Sequence, residues 1–139
     1  MLTLDANIWI AVYDSRDRFH HDSTIFLTAV ARRRLALYGP AFVAVEAGCA
    51  LARRAQDMQA GARAIQRLSA YPLLTLLPLN ERLLATASEL GARCLIRGAD
   101  ALYVAAAELA GTQLVSWDSE LVNRAGAITP LDWLATSVP

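Results

Sequence analysis

Asp5, Glu46, Asp100 and Asp118 stand at four separate places in the chain, each beside or inside an apolar run. Asp5 follows Leu2-Thr3-Leu4, and Asp118 follows Ser116-Trp117. Asp100 comes behind Arg97-Gly98-Ala99 at the head of an alanine-rich stretch. Glu46 lies inside Phe42-Val43-Ala44-Val45-Glu46-Ala47-Gly48-Cys49-Ala50-Leu51, where nearly every neighbour is apolar or small. An aspartate ahead of a helix has an ordinary structural role, accepting hydrogen bonds from free backbone N–H groups. That alternative stays open for Asp5, Asp100 and Asp118. Glu46 has no such role, and glutamate is rarely buried unless it is paired or ligating. A partly enclosed carboxylate in such a segment is a candidate functional residue.

If the four acids converge, their like charges crowd one pocket, and either some stay protonated or a cation neutralises them. A donor set of oxygens without a histidine or cysteine cluster favours a hard ion, Mg²⁺ or Mn²⁺. One such ion, or a pair roughly 3.5–4 Å apart, activates water and stabilises charge on a phosphoryl group. Calcium fits less well, since no EF-hand-like loop is present. This chemistry requires neither a histidine base nor a serine nucleophile. His20 and His21 read as a solvated helix start.

The elements that must position these acids alternate. Strands are expected at Leu2–Leu4, Leu35–Tyr38 (stopped by Gly39-Pro40), Leu73–Leu77 and Gln113–Trp117, with Ala127-Ile128 as a last edge strand. An apolar turn or helix is expected over residues 8–13, and helices from His20 towards Arg34, over 42–55, 60–70, from an Asn80 cap to Leu90 before Gly91, over 99–110, and over 119–124. This alternation predicts an α/β domain, residues 1–139, with a mostly parallel four- or five-stranded sheet flanked by helices. In open α/β sheets ligands sit beyond the carboxyl ends of strands. Two of the expected strands deliver an aspartate there.

Composition narrows the setting. A chain of 139 residues, just over half apolar and of zero net charge, suits one domain that buries its core without a disulfide. Cys49 and Cys94 form no CxxC pair and read as two buried thiols in a reducing cytosol. No apolar run approaches the ~18 residues that span a bilayer, and no signal peptide is evident, so a cytoplasmic protein is expected. All thirteen basic residues are arginine, and lysine is absent. That excludes a phospho-receiver domain, which uses a lysine beside its aspartate. It also argues against a haloacid-dehalogenase-like phosphatase, as does Asn7 in place of a second acid.

The motifs resemble the PIN-domain family, in particular the VapC-type toxins of toxin–antitoxin pairs. Leu4-Asp5-Ala6-Asn7 looks like the first family motif, Val45-Glu46 after a Gly-Pro turn the second, Arg97-Gly98-Ala99-Asp100-Ala101-Leu102-Tyr103 the third, and Val115-Ser116-Trp117-Asp118 the fourth. All occur in family order across essentially the whole chain. The resemblance implies an endoribonuclease in which Asp5, Glu46, Asp100 and Asp118 hold Mg²⁺ or Mn²⁺ and direct hydrolysis of an RNA phosphodiester. It further implies that Asn7 and Ser116 orient the carboxylates. It implies a cognate antitoxin as partner and a homodimer, with Ile8–Tyr13 and Phe42–Val45 as candidate surfaces beside their role in the core. Arg97 and Arg124 are the arginines expected to meet RNA, from a wider set that includes Arg53, Arg54 and Arg93. Trp117 stands where many relatives carry a polar residue; it either stacks on a base or packs, and packing is the expectation. The alternatives are a housekeeping PIN nuclease and a PIN-like module that binds RNA or protein without cutting.

Overall fold

In the computed structural model, which describes residues 1–136, Leu2–Leu4 forms a strand, β1, buried at all three positions. A strand hidden on both faces needs neighbours on both edges and helices above and below. On one edge it pairs with β2, Leu37–Pro40, and on the other with β4, Gln113–Val115. Beyond β2 lies β3, Leu74–Leu77, so the order is β3-β2-β1-β4 and every pairing is parallel. The expected last strand reduces to a single parallel bridge, Val115 to Ile128.

Parallel neighbours require crossover connections, and the helices supply them. They are α1 (Ala6–Tyr13), α2 (His20–Arg32), α3 (Phe42–Ala55), α4 (Met58–Ser69), α5 (Glu81–Cys94), α6 (Gly98–Ala110), α7 (Ser119–Ala125) and α8 (Pro130–Thr136). The main core joins Leu4, Ile8, Trp9, Phe26, Leu37, Val43 and Tyr103. Phe26 of α2 meets Trp133 of α8 edge to face, with ring centroids 5.2 Å apart. No helix among the described residues is long and apolar enough to cross a membrane.

Two boundaries differ from the sequence reading for identifiable reasons. Gly39-Pro40 does not stop β2 but lies within it. Leu37 N–H donates to Leu73 O and Ala41 N–H to Leu77 O, so odd-numbered residues serve β3. Pro40 points its missing donor towards β1, where pairing with β2 stops at Tyr38, and the pairing of β2 with β3 continues to Pro40. Helix α5 runs past Gly91 to Cys94 and ends on Leu95 in the left-handed region. Gly91 is a point of close approach instead of a cap: a Cβ there would lie 3.0 Å from the Ala101 Cβ of α6.

The cysteines also depart from expectation. Both are free, but Cys49 is exposed and Cys94 half-buried, because each falls on the outer side of its helix. His20 and His21 do not cap α2. His20 is bound through Nδ1 to the Ala11 carbonyl oxygen at 2.8 Å, which ties α2 to α1, while His21 is exposed.

Candidate active site

The carboxyl ends of β1 and β4 lie side by side, and Asp5 N–H donates to Val115 O at 3.1 Å just beyond the last β1 residue. Asp5 is thereby held at the sheet edge with its side chain buried. It occupies the N-cap position of α1, yet its carboxylate makes no capping bond. Asp5 Oδ2 instead accepts from Ser116 Oγ at 2.5 Å and from Asn7 Nδ2 at 2.8 Å. Asn7 Nδ2 also reaches Ser116 Oγ at 3.0 Å, and Asn7 Oδ1 accepts the Trp117 N–H at 3.2 Å. The first and last motifs are thus bound together by side chains over a separation of more than 100 residues.

Asp100 lies in the first turn of α6 behind Arg97, and it caps nothing. Its Oδ2 accepts from Arg97 Nε at 2.8 Å, and the same guanidinium donates through Nη2 to Asp118 Oδ2 at 3.1 Å. Asp118 alone fulfils the capping alternative. Its Oδ1 accepts the Glu120 N–H at 2.8 Å at the start of α7, while its own N–H donates to Ser116 Oγ. Glu46 projects from α3, half-buried, and accepts the Tyr103 hydroxyl at 2.6 Å. Tyr103 is one turn beyond Asp100 on α6, so one helix face presents both residues.

The electrostatics follow from burial. The Asp5 carboxyl is pushed up to about 7, first by loss of water and then by repulsion from Glu46 and Asp100, against the opposing pull of the Ser116 hydrogen bond. Burial, with Glu46 next, also holds the Tyr103 phenol well above its ordinary range. Carboxylate oxygens around a buried acid that resists ionisation are the donor set of a hard divalent ion, and in kind they fit one. In position they stand apart: no three acids close on a single point among the described residues. Arg97 is the cation that meets Asp100 and Asp118.

Sequence reasoning missed two partners. Tyr103 was readable from its i, i+3 spacing to Asp100, but its contact with Glu46 depends on how α3 and α6 cross. Arg97 was expected on an RNA path, and its side chain is engaged with two acids of the proposed site. Arg124 is held by Glu120 at 2.9 Å and by the Leu95 carbonyl oxygen at 2.7 Å. Trp117 packs as expected, stacked on Phe19. Of the two apolar surfaces, Ile8 to Ala11 and Val43 are buried, and Val45 is the residue left well exposed.

The family model of the PIN domain matches residues 2–127. The chain belongs to the PIN-domain family. No curated protein matches it. Among solved structures, this PIN domain resembles VapC20 of Mycobacterium tuberculosis, described as a Sarcin-Ricin loop cleaving toxin, at 17% identity and TM-score 0.76, covering 88% of this chain and 94% of that one. It resembles FitAcB from Neisseria gonorrhoeae at 18% identity and TM-score 0.69, covering 94% and 99%. VapBC2 from Rickettsia felis, bound to a DNA fragment from its promoter, matches at 13% identity and TM-score 0.69, covering 92% and 96%. At these identities the likeness is one of fold.

Proposed function

We propose that this PIN domain, residues 1–139 acting as one unit, is a divalent-metal-dependent endoribonuclease and the toxin of a type II toxin–antitoxin pair. The observation that carries the reading is the hydrogen-bonded path from Asn7 through Asp5 and Ser116 to Asp118, with Arg97 joining Asp118 to Asp100. A purely structural set of acids would be satisfied by backbone caps, and of these only Asp118 is.

When bound, Mg²⁺ or Mn²⁺ would supply an activated water and a counter-charge for the phosphodiester. Asp5, Asp100, Glu46 and Asp118 would hold it. Asn7 and Ser116 fix the Asp5 carboxylate by donating two hydrogen bonds to Oδ2. Tyr103 steadies Glu46 from the core side. The description of VapC20 as a Sarcin-Ricin loop cleaving toxin favours an RNA substrate, and an antitoxin partner and a cytoplasmic setting belong to the same proposal. A homodimer belongs to the same proposal.

The deciding experiment incubates the purified protein, freed of any partner, with tRNA and rRNA under Mg²⁺ or Mn²⁺. Internal cleavage that stops with chelator and is lost in Asp5→Asn and Asp100→Asn supports the reading. Metal-independent RNA binding without cleavage would instead favour the non-catalytic module. A short upstream frame encoding a DNA-binding protein would separate a toxin from a housekeeping nuclease.

A further inference from the structure

The sheet releases the chain at the point where the proposed site needs it held. β4 ends at Val115, and the Ser116 N–H still reaches a backbone acceptor, Ile128 O at 3.0 Å. Beyond it the backbone donors are met by side chains. Trp117 N–H donates to Asn7 Oδ1 at 3.2 Å, and Asp118 N–H donates to Ser116 Oγ at 2.9 Å. Asn7 and Ser116 are the same two groups that hold Asp5. The Trp117 peptide therefore sits among Asn7, Ser116 and Asp118, and its placement bears on all three.

An indole anchors that peptide from the side. The half-buried Trp117 ring stacks on Phe19, with centroids 4.2 Å apart and planes 5° from parallel. Its Nε1 donates to Ser23 Oγ at 2.8 Å, and Ser23 is wholly buried in α2. Phe19 directly precedes α2 and is itself fixed: its N–H donates to Asp17 Oδ1, and Asp17 is held by Arg54 of α3 at 2.6 Å. A ring resting on apolar neighbours alone can slide in its plane. A ring that is also hydrogen-bonded through its one polar atom keeps a single orientation. The direction in which the chain leaves β4 is thus set from α2.

We propose that Trp117 is a positioning residue of the metal-dependent centre: its indole, fixed by Phe19 and Ser23, sets the peptide from Ser116 to Asp118 and thereby the aim of Asn7 and Asp118. The inference rests on the proposed nuclease reading. It adds to the site two supports, Phe19 and Ser23, that carry no carboxylate and lie outside the four motifs.

The test measures Mn²⁺ binding by titration calorimetry on the full chain, freed of any partner. Trp117→Phe keeps a ring for the stack and loses the indole N–H, and Ser23→Ala removes the acceptor. Each should weaken Mn²⁺ binding about three- to tenfold. The double variant should bind no more weakly than the weaker single, since both changes remove one hydrogen bond. In the metal-free protein, the NMR signals of the Asn7 side-chain amide should shift in Ser23→Ala, although no hydrogen bond joins these residues among those described. Ile25→Ala, an exposed change on the same helix, should leave both readouts as in the wild type. If Ser23→Ala does not fold, Trp117→Phe decides alone. Wild-type Mn²⁺ affinity in the variants, or losses that add in full, would overturn the positioning role, and the nuclease reading stands if the wild type cuts RNA. If the wild type neither binds Mn²⁺ nor cuts RNA, both fall.

Discussion

Arg97 and Asp118, twenty-one residues apart in sequence, are joined by a 3.1 Å ion pair whose guanidinium also holds Asp100 at 2.8 Å. Two of the four proposed metal ligands thus already share a cation. A divalent ion drawing on both must displace it. Arg97 is largely exposed, so water screens the pair and the competition is modest. Arg97→Ala is expected to bind Mn²⁺ about three- to tenfold more tightly by titration calorimetry. Weaker binding would mean that Arg97 helps assemble the site.

Asp5 gives a pH dependence with a definite sign. Its folded carboxyl titrates near 7 against an ordinary value of 3.8, so the unfolded chain gives up its proton first as pH rises. Metal-free stability should therefore fall between about pH 4 and pH 7, by up to about 4 kcal/mol. Asp14 works in the opposite sense and in another window. Burial raises its carboxyl, but the hydrogen bonds from Arg16 and Arg54 prevail and lower it, so its stabilisation is lost only below about pH 4. Thermal melts in chelator across pH 4–8 should show the decline in the wild type and a flatter curve in Asp5→Asn. A wild-type curve that rises across this range would contradict the assignment.

Tyr103→Phe removes the hydroxyl that holds Glu46 and leaves the ring in the core. The stability cost should be small, about 1 kcal/mol by chemical denaturation. RNA cleavage should drop more than that, about tenfold, because Glu46 loses the contact that orients it. Equal activity of variant and wild type would remove Glu46 positioning from the mechanism.

Trp133→Ala provides the converse. Trp133 packs on Phe26 and lies under the Arg33 guanidinium, with no contact to the acids. Its loss should cost about 3–5 kcal/mol in unfolding free energy, while folded protein keeps its affinity for Mn²⁺. A matching loss of metal affinity would show that α8 supports the site after all.

β1, β4 and the aspartates that follow them were legible because apolar runs ending in aspartate carry both signals at once. Local rules then misled where a distant partner decided the outcome. Gly39-Pro40 reads as a stop until the register shows that Pro40 keeps its place against β3 and turns its missing donor towards β1. Gly91 reads as a cap until Ala101 is seen against it. Asp5 and Asp100 read equally well as caps, and only the side chains of Ser116, brought from beyond β4, and of the nearby Asn7 and Arg97 show that they are not. The ambiguity of Asp118 was real, since its two oxygens serve both roles.

The central strand β1 is the first of the four strands to be made and its neighbour β4 the last, and Ser116 reaches Asp5 across a separation of 111 residues. A ribosome therefore carries no finished centre until Ser116 has been made. Under the proposed reading, the translation machinery is not exposed to the enzyme it is building while β2 and β3 and their helices are being added. A premature stop anywhere before Ser116 yields a product with Asp5, Glu46 and Asp100 at most, and without the Ser116 hydroxyl that holds Asp5. The wide sequence spacing of the site acts as a quality check on synthesis, one that a centre built from a single contiguous loop would lack.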